Sequence, residues 1–478
     1  MPGMNKGLSR HPGNLRNLGG LWLGKLVTAA VRLSGKGATT LPGRAASMLA
    51  PGLLPALAGQ LSRGNLVITG TNGKTTTASL LTGIFRQAGY RIVHNRSGSN
   101  LAWGVTSAFL QAGSWRGRLD GHIGIIEADE GAFPEIVRAI SPRGAVLTNI
   151  FRDQLDRYGE VDRIRASLQK GLAALPDGSL VVLNADDPSV AFLPYRQKKR
   201  LRLLYYGLAL DSSGTRYLNT GQDLKACPLC GKELTYSVVY FAHLGRYRCL
   251  ACRFHRPEPE IRLIRRTPLE RSGSEIVMAT PEGKLTLRFP LPGLYNLYNA
   301  LAAAACAAGW GLPRQDIIRG LEQASPSFGR MEQFHIHGQP VVMGLVKNPA
   351  GANEVLRTFM EDPGRLQLLI AINDNYADGT DISWLWDVDF EQLEQARSRL
   401  APLTVSGIRA ADMAVRLKYA GIDPQGIIVE PCLKTALTRS LAAAAGEGPL
   451  YILPTYTAML QLRKIISRMG AARPYWEE

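Results

Sequence analysis

The stretch that most constrains this chain is Leu66-Val67-Ile68-Thr69-Gly70-Thr71-Asn72-Gly73-Lys74-Thr75-Thr76-Thr77. An apolar run enters a glycine-bearing loop, Lys-Thr closes the loop, and the helical text Ala78 to Phe85 follows. Strand, glycine loop and helix in this order form a phosphate cradle: glycines let backbone N–H groups close on an anion and the helix N-terminus adds positive potential. In such a cradle Lys74 reaches terminal phosphate oxygens and the Thr75 hydroxyl ligands Mg2+. One departure stands out, because the full pattern places glycine where this chain has Ile68. The bland reading of the same residues is a Gly/Asn turn between a strand and a helix.

A chain of 478 residues is long enough for two or three domains, each with its own core. Its 45% hydrophobic content and 50 glycines suit an α/β enzyme. No run of about 18 apolar residues predicts a membrane span, and no signal-peptide pattern opens the chain, so a cytoplasmic protein is expected. The formal charge of +17 favours anionic partners, whether nucleotide, nucleic acid, phosphorylated substrate or acidic membrane surface. No RNA-reading aromatic signature or DNA-reading helix pair is present, so nucleic acid is not expected as a partner.

Residues 1–60 read as a helical lead-in, with amphipathic stretches over Leu21 to Leu33 and Ala45 to Leu61. From residue 61 to 330 the text alternates strand and helix, the pattern of a parallel sheet covered on both faces. Candidate strands are Leu66 to Thr69, His122 to Ile126, Ala145 to Thr148 and Ser179 to Leu183, and Ala300 to Trp310 reads as a helix. Residues 221–259 interrupt this pattern as a small inserted module. A second α/β unit, residues 331–478, carries strand patterns at Val341 to Leu345, Leu368 to Ile372, Leu403 to Ser406, Ile427 to Val429 and Leu450 to Leu453.

Within the insertion, Cys227 and Cys230 form one C-x-x-C pair, Cys249 and Cys252 form another, and 18 residues separate them. That spacing is a strong zinc signal. Four thiolates fill a tetrahedral shell and leave no position for water, so the expected role is structural. A disulfide pair is disfavoured in a cytoplasmic chain, and an iron–sulfur cluster is also permitted by four thiolates. Cys306 and Cys432 read as packing residues, and His243 and His255 flank the module without being needed by it.

Three strand ends beside the phosphate loop carry acids or amides: Glu127-Ala128-Asp129-Glu130, Thr148-Asn149 through Asp156, and Asn184-Ala185-Asp186-Asp187-Pro188. In extended backbone Glu127 and Asp129 project from one face at a strand's C-terminal end, where α/β sites form. With Gly70 to Thr75 and Tyr295-Asn296-Leu297-Tyr298-Asn299-Ala300, these segments resemble the Mur ligase family in order and spacing over residues 60–335. The resemblance implies a Mur ligase-like P-loop ATPase domain in which ATP phosphorylates a carboxylate and an amine attacks the acyl phosphate. It implies that Thr71, Asn72, Gly73, Lys74, Thr75 and Thr76 hold ATP, with Asn296 and Asn299 near the adenine. Arg330 would face the nucleotide from the domain boundary, and Thr75 and Glu127 would ligand magnesium. Gln154 stands where many of these ligases carry histidine, and the lysine that many of them carbamylate is not identifiable.

The inserted four-cysteine zinc ribbon, together with Lys347 to Glu354, Asn373 to Trp384 and Pro454 to Met459, resembles one branch of that family. The branch implies a Rossmann-like C-terminal α/β domain and amidation of the D-glutamate α-carboxylate of the lipid II stem peptide. It also implies a heterodimer with a separate, GatD-like glutaminase subunit and work at the inner face of the membrane. A partner is chemically reasonable, because releasing ammonia from glutamine needs an activated nucleophile and this chain offers no convincing Cys–His pair. In that branch an aspartate of this subunit completes the partner's Cys–His arrangement; Asp374 is the candidate, with Asp378 and Asp381 as rivals. Competing readings are an amino-acid-adding Mur ligase or folylpolyglutamate synthase relative, and a non-catalytic zinc-ribbon scaffold that binds nucleic acid.

Overall fold

The computed structural model describes residues 15–33, 39–95, 99–151, 160–210, 225–269, 273–326 and 329–472. Strand β1 (Asn65–Thr69) is buried along its whole length. Its alternate side chains feed two separate cores, Leu66 and Ile68 one, Val67 the other. A strand apolar on both faces requires cover on both, which fixes an inner position in a layered sheet. Around it lie β2 (Ile92–His94), β3 (Ile123–Glu127), β4 (Gly144–Leu147), β5 (Leu180–Asn184) and β6 (Arg202–Leu208). Strands β7 (Leu234–Phe241) and β8 (Leu244–Cys249) leave the sheet as a separate antiparallel hairpin. The chain then returns through β9 (Ile261–Pro268), β10 (Ser274–Thr280) and β11 (Gly283–Phe289).

The resulting nine-stranded order is β11-β10-β9-β6-β5-β4-β1-β3-β2. Pairing is parallel from β2 to β9, and β10 and β11 close the edge antiparallel. The wholly parallel sheet read from the sequence is therefore corrected to a mixed one. Strands β6 and β9 to β11 are absent from the sequence reading: β6, β9 and β10 show no clean alternation, whereas in β11 Lys284, Thr286 and Arg288 alternate with Leu285, Leu287 and Phe289 as in a half-buried strand.

A second sheet holds β12 (Arg330–Ile336), β13 (Gln339–Gly344), β14 (Gln367–Ala371), β15 (Leu403–Ser406), β16 (Ile427–Val429) and β17 (Leu450–Pro454). Its order is β12-β13-β17-β14-β15-β16, parallel except for the β12–β13 hairpin. Apolar clusters cover both of its faces.

The first described helix spans Leu15–Leu33 and, with helices Leu41–Leu49 and Leu53–Ala58, shares the core that holds Val67 and Phe109. A single helix over Ala45 to Leu61 is thus replaced by two. The break falls at Pro51-Gly52, since proline has no N–H to continue the ladder and glycine weakens helix.

Asp186, fully buried just past β5, ties the inserted hairpin to the sheet. It accepts hydrogen bonds from Leu208 N at 2.7 Å, Arg256 Nε at 2.5 Å and the Tyr298 hydroxyl at 2.8 Å. Burial raises its pKa, and Arg256 opposes that rise. Arg256→Met would leave this carboxylate inside without its cation, a loss of about 3–5 kcal/mol. A markedly lower urea midpoint in equilibrium unfolding is the expected outcome.

Candidate active site

The loop after β1 turns on two glycines with positive φ, Gly70 at 127° and Gly73 at 84°. Gly73 has a second constraint, because a Cβ there would stand 2.2 Å from Asn299 Oδ1. The end of β4 grips the loop between them. Asn149 Oδ1 accepts Asn72 N at 2.8 Å, and Thr148 Oγ1 and Asn149 Nδ2 donate to Asn72 O at 2.7 and 3.1 Å. Thr71 N donates to Asn149 O at 2.9 Å, and Phe151 N donates to Thr71 Oγ1 at 3.0 Å. Thr71 therefore serves the loop's shape rather than lining the cleft. Gln154 and Asp156, which follow Phe151, lie outside the described residues.

Lys74 opens helix Lys74–Gln87 and is buried. Its Nζ donates to Gly70 O at 2.5 Å, Thr71 O at 3.2 Å and Glu130 Oε1 at 3.1 Å. Burial pulls its pKa down, but Glu130, Glu127 and Asp129 outweigh that pull and hold the ammonium above its ordinary value. Thr75 Oγ1 donates to Glu127 Oε2 at 2.9 Å. Glu127 is the last residue of β3, and Asn95 brackets its backbone, accepting from Glu127 N and donating to Glu127 O at 2.8 Å each. A hydroxyl and a carboxylate side by side at a phosphate loop are hard oxygen donors that fit Mg2+.

The carboxylates sort differently from the sequence reading. Asp129 does not join Glu127: its Oδ1 caps Gly131 N at 2.9 Å in the turn after β3. Glu130 does, by pairing with Lys74, although extended spacing would point it away from Glu127. The chain turns after β3, so strand alternation stops applying there.

A cleft opens between the two sheets' domains. Of the expected nucleotide residues, Asn72, Gly73, Thr75, Thr76, Asn299 and Arg330 line it. Asn296 lies one layer behind. It donates to Pro292 O at 2.7 Å, and its Oδ1 accepts Asn299 Nδ2 at 3.4 Å. Asn72 and Asn348 exchange side-chain hydrogen bonds of 3.2 and 3.4 Å across the cleft, joining the phosphate loop to the C-terminal unit.

Two groups of cleft residues escape the sequence reading. Phe241 and Leu244, from the tip of the β7–β8 hairpin, wall one side beside Tyr298 and Phe151. His243 at that tip is buried, with Nε2 3.3 Å from Asp187 Oδ1 and no part in the cysteine cluster. Glu354, on helix Pro349–Met360, lines the opposite side with Tyr295 and Arg330. Burial pushes its carboxyl up to about 7, although Arg357 Nη1 at 3.0 Å pulls it down. An apolar, largely enclosed position gives such an acid no signature in sequence.

At the hairpin's other end the four Sγ atoms of Cys227, Cys230, Cys249 and Cys252 lie within 4.8 Å of one another. Cys227 to Cys252 is 3.7 Å and Cys230 to Cys249 is 3.5 Å. A tetrahedron with metal–sulfur bonds of about 2.3 Å has edges of about 3.8 Å, so this set fits one Zn2+ and is too open for disulfides.

In the aspartate loop after β14, Asp374 Oδ2 accepts Arg409 Nε at 2.8 Å and Nη2 at 2.6 Å. Asp378 is spent on Thr457, accepting its N at 2.7 Å and Oγ1 at 2.5 Å, and on Asn375 N at 3.1 Å. Asp381 caps Ser383 N at 2.8 Å.

A loop at the end of a central strand is thus faced across a cleft by Arg330 of a second α/β unit. Residues 68–239 match the Mur ligase middle domain, and residues 345–459 match the MurT ligase C-terminal family. The fold is similar to MurF from Acinetobacter baumannii, with TM-score 0.66 and 16% identity over 91% of this chain and 81% of that one. Over 96% of its length, and 99% of the relative's, the chain is 33% identical to the lipid II isoglutaminyl synthase (glutamine-hydrolyzing) subunit MurT of Streptococcus pneumoniae. The Staphylococcus aureus subunit of that name is 32% identical over 95% of this chain and 98% of its own. The chain belongs to the MurT family.

The carboxyl of Glu354 titrates at 4.5 when unperturbed and at about 7 here. Between those values the folded state holds more protons than the unfolded, so its contribution to stability falls as pH rises through that window. Glu354→Gln removes this titration, so the stability difference between variant and parent should move in the variant's favour as pH rises through that window. Thermal unfolding across this pH range checks it.

Proposed function

We propose that this chain is the synthetase subunit of a lipid II isoglutaminyl synthase in peptidoglycan synthesis, acting at the inner face of the membrane. The observation that carries the reading is the full-length similarity to MurT subunits together with the phosphate loop and Arg330 facing one cleft. An oxygen of the D-glutamate α-carboxylate attacks the γ-phosphorus of ATP and ADP leaves. Ammonia then attacks the carbonyl carbon of the acyl phosphate, inorganic phosphate leaves, and D-isoglutamine forms. The chain's work is positioning and charge stabilisation. Loop amides and Lys74 hold the phosphates, Asn299 lies beside the base, and Arg330 meets the nucleotide from the second unit. Thr75 and Glu127 would hold Mg2+, which neutralises the phosphate charge when bound. The four cysteines would hold a structural Zn2+.

In this reading ammonia comes from elsewhere, although Cys432 is exposed rather than packed and a hydrogen bond with Thr435 lowers its thiol's pKa. Cys306 is buried in helix Leu294–Gly309, and burial pushes its thiol up to about 12, so it is no nucleophile. A GatD-like glutaminase in a heterodimer supplies the nucleophile in this reading. The C-terminal unit, a Rossmann-like layer by its mostly parallel order, offers Asp374 at a strand end as the group that orients the partner's histidine. Both contacts from Arg409 fall on Oδ2, which leaves Oδ1 to accept an imidazole N–H. Asp378 and Asp381 are held by their own turns and are weaker candidates.

Asp374→Asn should abolish amidation from glutamine and keep amidation from free ammonium near the parent rate, each followed as ATP-dependent product by mass spectrometry. Equal loss of both would move Asp374 into the synthetase site. Metal analysis should find about one zinc per chain. Cys249→Ser with Cys252→Ser should remove it, lower the melting temperature and weaken ADP binding by calorimetry, since Phe241 and Leu244 wall the cleft. An iron–sulfur absorbance in the parent protein would reject the zinc assignment.

A further inference from the structure

Helix Leu15–Leu33 is built inside out. Its buried side carries Asn17, Gly20, Leu21, Gly24 and Thr28, mostly small or polar. Its outer side carries Leu15, Trp22, Leu26 and Leu33, exposed by 86%, 50%, 60% and 89%. With 3.6 residues per turn, these four fall within about 20° of one line. A helix that only packed on the domain would show the reverse. Close approach explains the small inner face: a Cβ on Gly20 would stand 2.5 Å from Ala50 Cβ, and one on Gly24 would stand 2.7 Å from Leu110 Cδ1.

The apolar line continues onto neighbouring elements. Trp22 Nε1 donates to Trp115 O at 2.9 Å, and Trp115 is 56% exposed. Helices Leu41–Leu49 and Ala102–Ala112 add exposed Met48 and Trp103. Cations frame these residues. Lys25 lies 5.5 Å from the Trp115 ring centroid and the Arg44 guanidinium 5.0 Å from that of Trp103. Arg16 and Arg32 sit at either side of the Trp22 line, and Arg116 and Arg118 are exposed next to Trp115.

Charge distribution singles out the same region. Residues 1–119 contain four lysines, ten arginines and no aspartate or glutamate, so fourteen of the chain's net +17 charges fall in its first quarter. The first carboxylate, Asp120, is already paired with Arg91 at 2.9 Å. Among the described residues Arg16, Lys25, Arg32, Arg44, Arg116 and Arg118 belong to this face, which also offers three indole rings at its rim. Tryptophan, leucine and lysine or arginine together suit a headgroup layer, where apolar side chains enter the acyl boundary and cations meet lipid phosphates. No helix among the described residues is long and apolar enough to cross a membrane, so contact would be from one side.

We propose that the face formed by helix Leu15–Leu33, helix Leu41–Leu49 and Trp103 to Arg118 docks on a bilayer of anionic phospholipid. This rests on the reading of lipid II as substrate: a ligase acting on a lipid-linked peptide gains by resting on the surface that holds it. Two-dimensional confinement raises the effective substrate concentration without altering the nucleotide site.

Flotation of the full chain with vesicles of mixed phosphatidylglycerol and phosphatidylcholine tests it. Binding is expected to the mixed vesicles, far less to phosphatidylcholine alone, and to fall steeply with added salt. Trp22→Ser with Leu26→Ser should lower the partition at least about tenfold, as expected when two large apolar side chains no longer enter lipid. Arg16→Glu with Arg32→Glu should do likewise, and because all four residues are exposed both variants should keep the parent melting temperature. Equal partition of parent and variants, or equal binding to neutral vesicles, overturns the proposal. So does an oligonucleotide that competes the protein off vesicles, or a glutaminase subunit or second copy of the chain that occupies this face in place of lipid. Ammonium-dependent amidation of lipid II in detergent micelles, run in parallel, separates the two readings. If the parent amidates but does not float, docking fails alone; if it does not amidate, the substrate assignment fails.

Discussion

Everything the site does depends on one fixed loop. Asn149 and Thr148, at the end of β4, hold both the N–H and the carbonyl of Asn72, and Thr71 is held by Asn149 and Phe151. With the backbone pinned this way, Gly70 and Gly73 can stay in conformations that other residues rarely adopt, and the loop amides are oriented before any anion arrives. The same grip sets Lys74 and Thr75 at the first turn of a helix, where Glu127 and Glu130 meet them. Parallel pairing of β1 with β3 and β4 is what brings those side chains to one end of the sheet.

The cleft is a joint product of three parts of the chain. The loop supplies its floor, the C-terminal unit one wall through Arg330 and Glu354, and the cysteine hairpin another through Phe241 and Leu244. Asp186 and Asp187 anchor the hairpin from the end of β5, through Arg256 and His243. The four-cysteine cluster and the cleft are therefore mechanically connected, and the hairpin has a use beyond the cluster at its base.

Much of this is legible in the sequence. Strands β1, β3, β4 and β5 and most of the second unit's strands fall within one or two residues of their sequence patterns, because continuous apolar runs bounded by polar residues leave few alternatives. The phosphate loop, Glu127 and the four cysteines can be named from residue type and spacing alone. What escapes is conditional on packing. Strands β9 and β10 lack a clean alternation, and β11 alternates but is too short to stand out without its sheet neighbours. Asp129 and Glu130 exchange roles because the chain turns after β3, and Glu354 and Phe241 matter only because distant segments converge.

The sequence by itself determined the phosphate cradle, the cysteine set, the α/β layering and an excess of positive charge, since each is a property of neighbouring residues and their intrinsic chemistry. Tertiary structure alone decided which acid meets Lys74, which residues wall the cleft, and that helix Leu15–Leu33 turns Trp22, Leu15, Leu26 and Leu33 outward. Amphipathicity shows that a helix has two faces; only the packing of Gly20 and Gly24 against Ala50 and Leu110 shows which face is inside.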